Sequence, residues 1–449
     1  MSGRLKWRSA ANRPEESGRS TNERILAECH TLYTHPNTGL LQLAGTLGIP
    51  LLAPRKKITV MVMGNHSAGK SSFINWYTGE HIQKTGVAIE TQGFTFITSG
   101  RRRDTLTGNA TLHLYPHFQK LQEITGVSDY LSTEVSTSRE RRFSLVTFID
   151  TPGLVDGDMK YEFDVDKALI WLGEHVDLVL VFFDPLGQAL CGRTLNIVEQ
   201  LSDKAGERVH FYLSKADQAG SESDRQRVLM QIVQELCKRP ALNKCGFNMP
   251  TIYIPQEERV CRCVNQIEEV CVTIEKTIEQ TVQHTLDQLE RDCLTLRQAT
   301  DTVLQRDSQQ VSLNRKIQLW HFLFGCLGYL LPICLLSSFV IGCFPINSLI
   351  DIAGVEVAHA LHMYNVVVSS LWVWLCGDSP LWGLILLCSS CLLSVLLSRF
   401  YAGSKPTLPR SQRRRLVDMK RHMEEVVIPR KGELYELYLR QCVSDYDLQ

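Results

Sequence analysis

The chain has 449 residues, room for two or three structural units, and its 48 Lys+Arg against 48 Asp+Glu give a formal net charge of +0. Nothing in that balance draws it to nucleic acid, and no nucleic-acid partner is expected. Its 15 cysteines are scattered, several lie inside apolar runs, and Cys261-x-Cys263 has no second pair, so neither a disulfide-dense secreted module nor structural zinc fits.

The first stretch, MSGRLKWRSAANRPEESGRS, lacks the apolar core of a secretory signal. Its basic start is shared with mitochondrial presequences, but Pro14 and the acidic pair behind it cut such a helix short. The expectation is a disordered tail over residues 1–21, then a helical segment over 22–55 whose first helix covers about 22 to 34.

KKITVMVM (56–63) is an apolar, β-branched run suited to a buried strand, and Gly64-Asn65-His66-Ser67-Ala68-Gly69-Lys70-Ser71 follows it. That is G-x-x-x-x-G-K-[ST] without a mismatch, and Ser72 with FINWYTG can open a helix behind it. Glycines let backbone N–H groups turn toward phosphate oxygens at a helix N-terminus. In this pattern Lys70 reaches the β- and γ-phosphates and the Ser71 hydroxyl ligates Mg²⁺.

Three later stretches choose among the users of such a loop. RRFSLVTFIDTPGL (141–154) reads as a strand ending in Asp150-Thr151-Pro152-Gly153, where Asp150 can hold the Mg²⁺ shell and the Gly153 N–H can sense a γ-phosphate. HVDLVLVFFD (175–184) is another buried strand. RVHFYLSKAD (208–217) is a strand followed by Ser214, Lys215 and Asp217, where the carboxylate can accept two bonds from a guanine edge and the lysine stem can cover the ring. Each motif is weak alone, but this order and spacing, each at a strand end, is specific.

On GNHSAGKSSFIN, IETQGFTF, IDTPGL, VDLVLVFFDPL and YLSKADQ, the chain resembles the dynamin superfamily, and it is especially similar to the EH-domain-containing ATPases. The likeness covers roughly residues 56–257 and implies an α/β P-loop G domain, a mostly parallel sheet flanked by helices. It departs from that family in two places. Ser214 stands where the base-reading motif has Asn or Thr, and no EF-hand-like calcium loop follows. Because the EH-domain relatives use ATP, the base stays open between guanine and adenine.

The resemblance also implies a Thr-rich switch in GVAIETQGFTFITSG (86–100), where Thr91 is the favoured hydroxyl for closing on Mg²⁺ and Thr95 suits an ordinary strand position. Regulatory GTPases place a water-positioning glutamine after their DxxG motif, but here the residue is Leu154. Dynamin-like proteins instead use a polar residue two positions beyond the first glycine. That residue is His66, with Ser67 beside it, and both are catalytic candidates.

Beyond the G domain, apolar residues recur at Val264, Ile267, Cys271, Ile274, Ile278, Val282, Leu286, Leu289, Cys293, Leu296 and Val303, the spacing of a long amphipathic helix. We read 258–316 as a helical stalk, the element that in dynamin relatives transmits nucleotide state. IQLWHFLFGCLGYLLPICLLSSFVIGCF (317–344) has no formally charged residue across 28 positions, and LWGLILLCSSCLLSVLL (381–397) is a second apolar run of 17. Arg315 and Lys316 precede the first; Arg399, Lys405, Arg410, Arg413, Arg414 and Arg415 follow the second; residues 345–380 contain no Lys or Arg. By the positive-inside rule this is a membrane hairpin over 317–398, two transmembrane helices with both termini cytosolic. VVVSSLWVWLC (366–376) is short for a span and reads as a re-entrant element. The cysteines read as reduced thiols facing cytosol or lipid, open to S-palmitoylation beside the membrane. The tail over 399–449 has helical stretches broken at Pro429; its basic start can meet anionic headgroups, and its later apolar positions can pack back on the stalk.

Together these features describe a membrane-anchored, Mg²⁺-dependent GTPase coupled, by resemblance, to membrane remodelling, tethering or fusion through a G-domain homodimer or homo-oligomer. A nucleotide-binding membrane scaffold without turnover and an ATPase remain open alternatives. Endoplasmic reticulum, mitochondrial outer membrane and endosomal membranes all fit.

Overall fold

Seven segments rich in Val, Ile, Phe and Thr form one sheet in the computed structural model, which describes residues 20–86, 92–156, 161–186, 191–242, 248–255, 263–376, 380–403 and 405–442. They are β1 (Ile58–Gly64), β2 (Phe94–Ser99), β3 (Asp104–Thr107), β4 (Leu131–Ser136), β5 (Val146–Asp150), β6 (Leu178–Phe183) and β7 (Val209–Leu213), in the order β3-β4-β2-β5-β1-β6-β7. β1 pairs in parallel with β5 and β6, β6 with β7, and β2 with β4. β2 runs antiparallel to β5, and β3 to β4. Every residue of β1, β5 and β6 is buried, as unbroken apolar runs require when helices cover both faces of a sheet.

Those helices start where the sequence offers a cap. α1 (Thr21–Thr34) is capped by Ser20, and α2 (Leu40–Leu47) ends at Gly48 in the left-handed region. α3 (Lys70–Thr78) follows β1 directly, and α4 (Asn109–Leu114) is short. α5 (Val165–His175) is capped by Asp164, α6 (Gly192–Ala205) follows β6, and α7 (Glu222–Cys237) carries a Ser221/Asp224 capping box. The stretch read as a strand over 141–154 is extended only from Val146. Arg141 and Arg142 have φ of 44° and 57°, and Arg141 turns back to put its guanidinium 4.2 Å over the Trp76 ring and to donate to the Trp76 carbonyl at 2.7 Å.

α8 (Ile267–Gly342) is one helix through the stretch divided above into stalk and first apolar segment, with Pro332 inside it. Its buried stripe passes through Val270, not Cys271, and Val264 lies before the helix and is exposed. The one-residue offset, about 100° around the helix, is what 3.6 residues per turn accumulates against steps of three and four.

The chain divides into two compact units, Met1–Thr295 with Arg421–Gln449, and Leu296–Lys420. The second is built of helices: the later part of α8, α9 (Ile346–Ala353), α10 (Val355–Cys376), α11 (Pro380–Phe400) and most of α12 (Arg410–His422). Its surface is apolar, with Phe322, Phe339 and Trp374 at 66, 74 and 81% exposure. Among the described residues, one helix, α8, is long and apolar enough to cross a membrane, and Leu387–Phe400 is a shorter apolar helix. α10 corrects the re-entrant reading: 366–376 is the end of a 22-residue helix. Glu356, His359, His362 and Asn365 mask its length in a hydropathy scan. Within the bundle Ser338 donates to Asn365 at 2.6 Å, and Ser337 pairs with Tyr364 at 2.9 Å.

Pro429 does not break the tail. The helix runs on through a π-turn at Met423–Val427 into α13 (Ile428–Cys442), and this local widening just upstream accommodates a proline that brings no N–H. In the first unit α13 packs on α1 and the start of α8, with Leu434 fully buried, Arg430 bonded to Glu28 and Lys431 2.9 Å from Glu290. Tyr33 of α1 donates to Asp292 of α8 at 2.6 Å. The tail's apolar positions thus pack back as expected.

Candidate nucleotide-binding site

The loop at the end of β1 is possible only with its glycines. Gly64 has φ 153°, and a Cβ there would lie 2.4 Å from the Phe182 carbonyl oxygen; Gly69 caps α3 at φ 83°. Between them Asn65 and Ala68 are buried, while His66 and Ser67 are half-exposed. Ser67 takes φ 58°, a left-handed conformation that a non-glycine residue adopts at a cost of about 1 kcal/mol.

Lys70 is buried, and its ammonium donates to the carbonyls of Asn65 at 3.0 Å and Gly64 at 3.3 Å. Burial pushes its pKa down to about 8; Asp150 opposes that shift and Lys215 adds to it. Ser71 donates to Asp150 Oδ2 at 2.6 Å. Asp150, at the end of β5, is fully buried, and burial raises its carboxyl above the usual range despite Lys70 and the Ser71 bond. Its other oxygen, Oδ1, is buried with no hydrogen-bond partner. An unsatisfied carboxylate oxygen beside a serine hydroxyl is the donor set a hard divalent cation takes, directly or through water, so these residues fit Mg²⁺.

The segment after β5 is laced to the loop. The His66 N–H donates to the Leu154 carbonyl at 3.0 Å, and the Leu154 N–H to the Gly64 carbonyl at 3.2 Å. A Cβ on Gly153 would stand 2.7 Å from His66 Cα, so this approach admits only glycine. Tyr161 donates to the Gly153 carbonyl at 2.7 Å, and Asp156 accepts from the Gly192 and Arg193 N–H groups at 2.8 and 3.0 Å, tying the same segment to the start of α6. Neither Tyr161 nor Asp156 belongs to a spaced pattern, so neither was legible in the sequence.

Ser214, Lys215 and Asp217 line a cavity of about 150 Å³ with Gly69, Ser72, Phe73 and Tyr253. Lys215, at φ 50°, lays its stem beside Gly69, and its ammonium lies 3.4 Å from Asp184, a buried carboxylate ending β6. The Ser214 hydroxyl turns inward to the Phe183 carbonyl at 3.1 Å, which leaves Asp217 as the acidic group on the cavity wall. Neither Asp184 nor Tyr253 was singled out from the sequence, since neither belongs to a spaced pattern. Thr91 lies outside the described residues. Thr95 sits in β2 opposite Asp150, an ordinary strand position.

A model of the dynamin family matches residues 60–236. The chain carries a dynamin-type G domain. This domain resembles that of EH domain-containing protein 2 from Arabidopsis thaliana, 27% identical over 176 residues, which are 37% of this chain and 31% of that protein. EH domain-containing protein 2 from Homo sapiens matches at 27% over 176 residues, 36% of this chain and 30% of its own. The match thus spans about a third of the length of these curated relatives. Among solved structures, an oligomerised bacterial dynamin pair described as sensing and tethering membranes over long range aligns with a TM-score of 0.39 and 11% identity, covering 94% of this chain and 77% of that one.

Proposed function

We propose that the dynamin-type domain binds GTP with Mg²⁺ and hydrolyses it to GDP and phosphate, in a protein anchored in a membrane and coupled to remodelling, tethering or fusion. The observation that carries the reading is the cluster of buried Lys70 and Asp150 with half-exposed Ser71, and the orphaned Oδ1 of Asp150 within it. Lys70 exchanges its two carbonyl partners for β- and γ-phosphate oxygens. Ser71 and Asp150 hold the cation, which when bound offsets charge on the phosphates. Loop N–H groups from Asn65 to Ser72 cradle the anion at the start of α3. Gly153 reads the γ-phosphate, Thr91 closes the cation shell, and His66 with Ser67 orients the attacking water. Lys215 covers the base and Asp217 accepts from its edge.

We assign residues 56–257 to the G domain, 258–316 to the stalk, 317–344 and 381–397 to two spans with cytosolic ends, and dimerisation to the G domain. The membrane reading rests on the apolar exterior of the second unit and the uncharged run 317–344. The full chain in lipid nanodiscs, assayed for phosphate release from GTP and from ATP with and without added vesicles, tests it. No release from either nucleotide overturns the hydrolase and leaves a binding scaffold, the role the buried Leu154 at the glutamine place would suit. A tenfold preference for ATP overturns the base; the inward Ser214 hydroxyl favours that second reading, since it removes one guanine contact. A protease-protected C-terminus on sealed vesicles overturns the two-span topology.

A further inference from the structure

The segment that leaves β5 is anchored at almost every residue. The buried Thr151 hydroxyl donates to the Val62 carbonyl of β1 at 2.9 Å, and Leu154 is bridged to Asn65. Pro152 between them has its φ fixed by its ring. Gly153 is therefore the swivel of this stretch, since a residue without Cβ turns freely. Its carbonyl and the Leu154 N–H are the two ends of one rigid peptide plane. Tyr161 donates to the carbonyl end at 2.7 Å, and the Gly64 carbonyl accepts from the N–H end at 3.2 Å. Held at both ends, the plane cannot turn.

The first turn of α6 keeps Tyr161 in place and ties it to the phosphate loop. The Arg193 guanidinium lies 5.5 Å over the Tyr161 ring, and its Nε donates to Asp166 at 2.8 Å. The buried Phe163 ring flanks Tyr161 at 6.2 Å. The next residue, Thr194, donates its hydroxyl to the Asn65 side chain in a buried pair, and Asp156 caps the same turn through the Gly192 and Arg193 N–H groups. One helix end thus grips the loop and the segment together. Gly153 already stands as near the loop as it can, because a Cβ there would lie 2.7 Å from His66 Cα.

We propose that Tyr161 is a positioning residue for the nucleoside triphosphate: its hydroxyl presets the Gly153 peptide against His66, so that a γ-phosphate meets an amide already in place. This inference rests on the reading above in which the Gly153 N–H senses the γ-phosphate. A group ordered before its ligand arrives adds no ordering cost to binding. A diphosphate offers Gly153 nothing, and its phosphates are met by the loop and Lys70 alone. Tyr161 therefore acts on triphosphate and not on diphosphate.

The test uses the full chain in lipid nanodiscs with Mg²⁺ and calorimetry of two ligands, the diphosphate and the β,γ-imido triphosphate of whichever base the wild-type chain binds tighter. Tyr161→Phe keeps the ring between Arg193 and Phe163 and removes only the hydroxyl. The expected result is a loss of about three- to tenfold in affinity for the imido triphosphate, the range of one neutral hydrogen bond, with diphosphate affinity unchanged. Equal losses for both ligands make Tyr161 a packing residue and overturn the proposal. An unchanged ratio overturns it too, and so does tighter binding of the imido triphosphate, which would make the hydroxyl a brake. A wild-type chain that binds the two ligands equally tightly has no γ-phosphate contact, which overturns the Gly153 reading itself and separates that failure from the others.

Discussion

The two ends of the proposed nucleotide site are built by different means. At the end assigned to phosphate the work is done by backbone and by groups that hold one another: Gly64, Gly69 and Gly153 at positions where a side chain is strained or cannot fit, and Lys70, Ser71 and Asp150 in one cluster. At the base end, a cavity of about 150 Å³ presents Asp217 half-exposed, with Ser214 facing inward and Lys215 held by Asp184. A grip on phosphate is insensitive to which nucleoside hangs from it, so it can be rigid. Selection of the base rests on a few side chains and is correspondingly easy to alter.

The contrast orders the expected damage. Lys70→Ala removes the charged anchor from a dry site, and nucleotide affinity measured by calorimetry falls about 10³-fold, roughly 4 kcal/mol. Unchanged affinity would place the phosphates elsewhere. His66→Ala leaves affinity nearly intact and lowers kcat about 10²-fold under vesicle-stimulated conditions, with partial rescue in His66→Gln, which can also donate and accept. Wild-type turnover in His66→Ala would hand the water to Ser67 or a switch residue. Asp217→Asn costs about tenfold in GTP affinity, ~1.4 kcal/mol, and admits xanthosine triphosphate, since one acceptor becomes a donor. An affinity unchanged for both nucleotides would separate Asp217 from the base.

A last effect is read on stability rather than on binding, and concerns Lys70 and pH in the nucleotide-free protein. Its folded pKa is about 8 against an ordinary 10.5, so between these values the unfolded chain binds the extra proton. Stability therefore rises with pH across that window by up to about 3 kcal/mol, relative to Lys70→Met, which flattens the rise. Nucleotide affinity moves the opposite way above about pH 8, because the phosphates need the charged amine. Chemical denaturation and calorimetry on both proteins read the two trends.

Much of this was legible in advance. The fold was legible because β1, β5 and β6 are unbroken apolar runs and the phosphate loop, DTPG and SKAD each sit at a strand end. The tail's packing was legible from its apolar spacing. What escaped were features fixed by partners far away in sequence. Arg141 leaves the strand for the Trp76 ring, Tyr161 finds the Gly153 carbonyl, and a π-turn upstream of Pro429 absorbs what a lone proline would have broken. The helix ending at Cys376 escaped for a simpler reason: its first turns carry Glu356, His359 and His362, and a scan for hydrophobicity discards them.

The contact between Arg430 and Glu28 spans 402 residues. On a ribosome adding about 5–20 residues per second, Ile25, Leu26, Cys29 and Tyr33 wait roughly 20–80 seconds for α13 to emerge, and the apolar run of α8 is synthesised in between. α1, made early, is among the last helices to be fully covered. Its greasy face is therefore a standing client surface for chaperones during translation, and a chain stalled after residue 400 is marked by leaving that face bare.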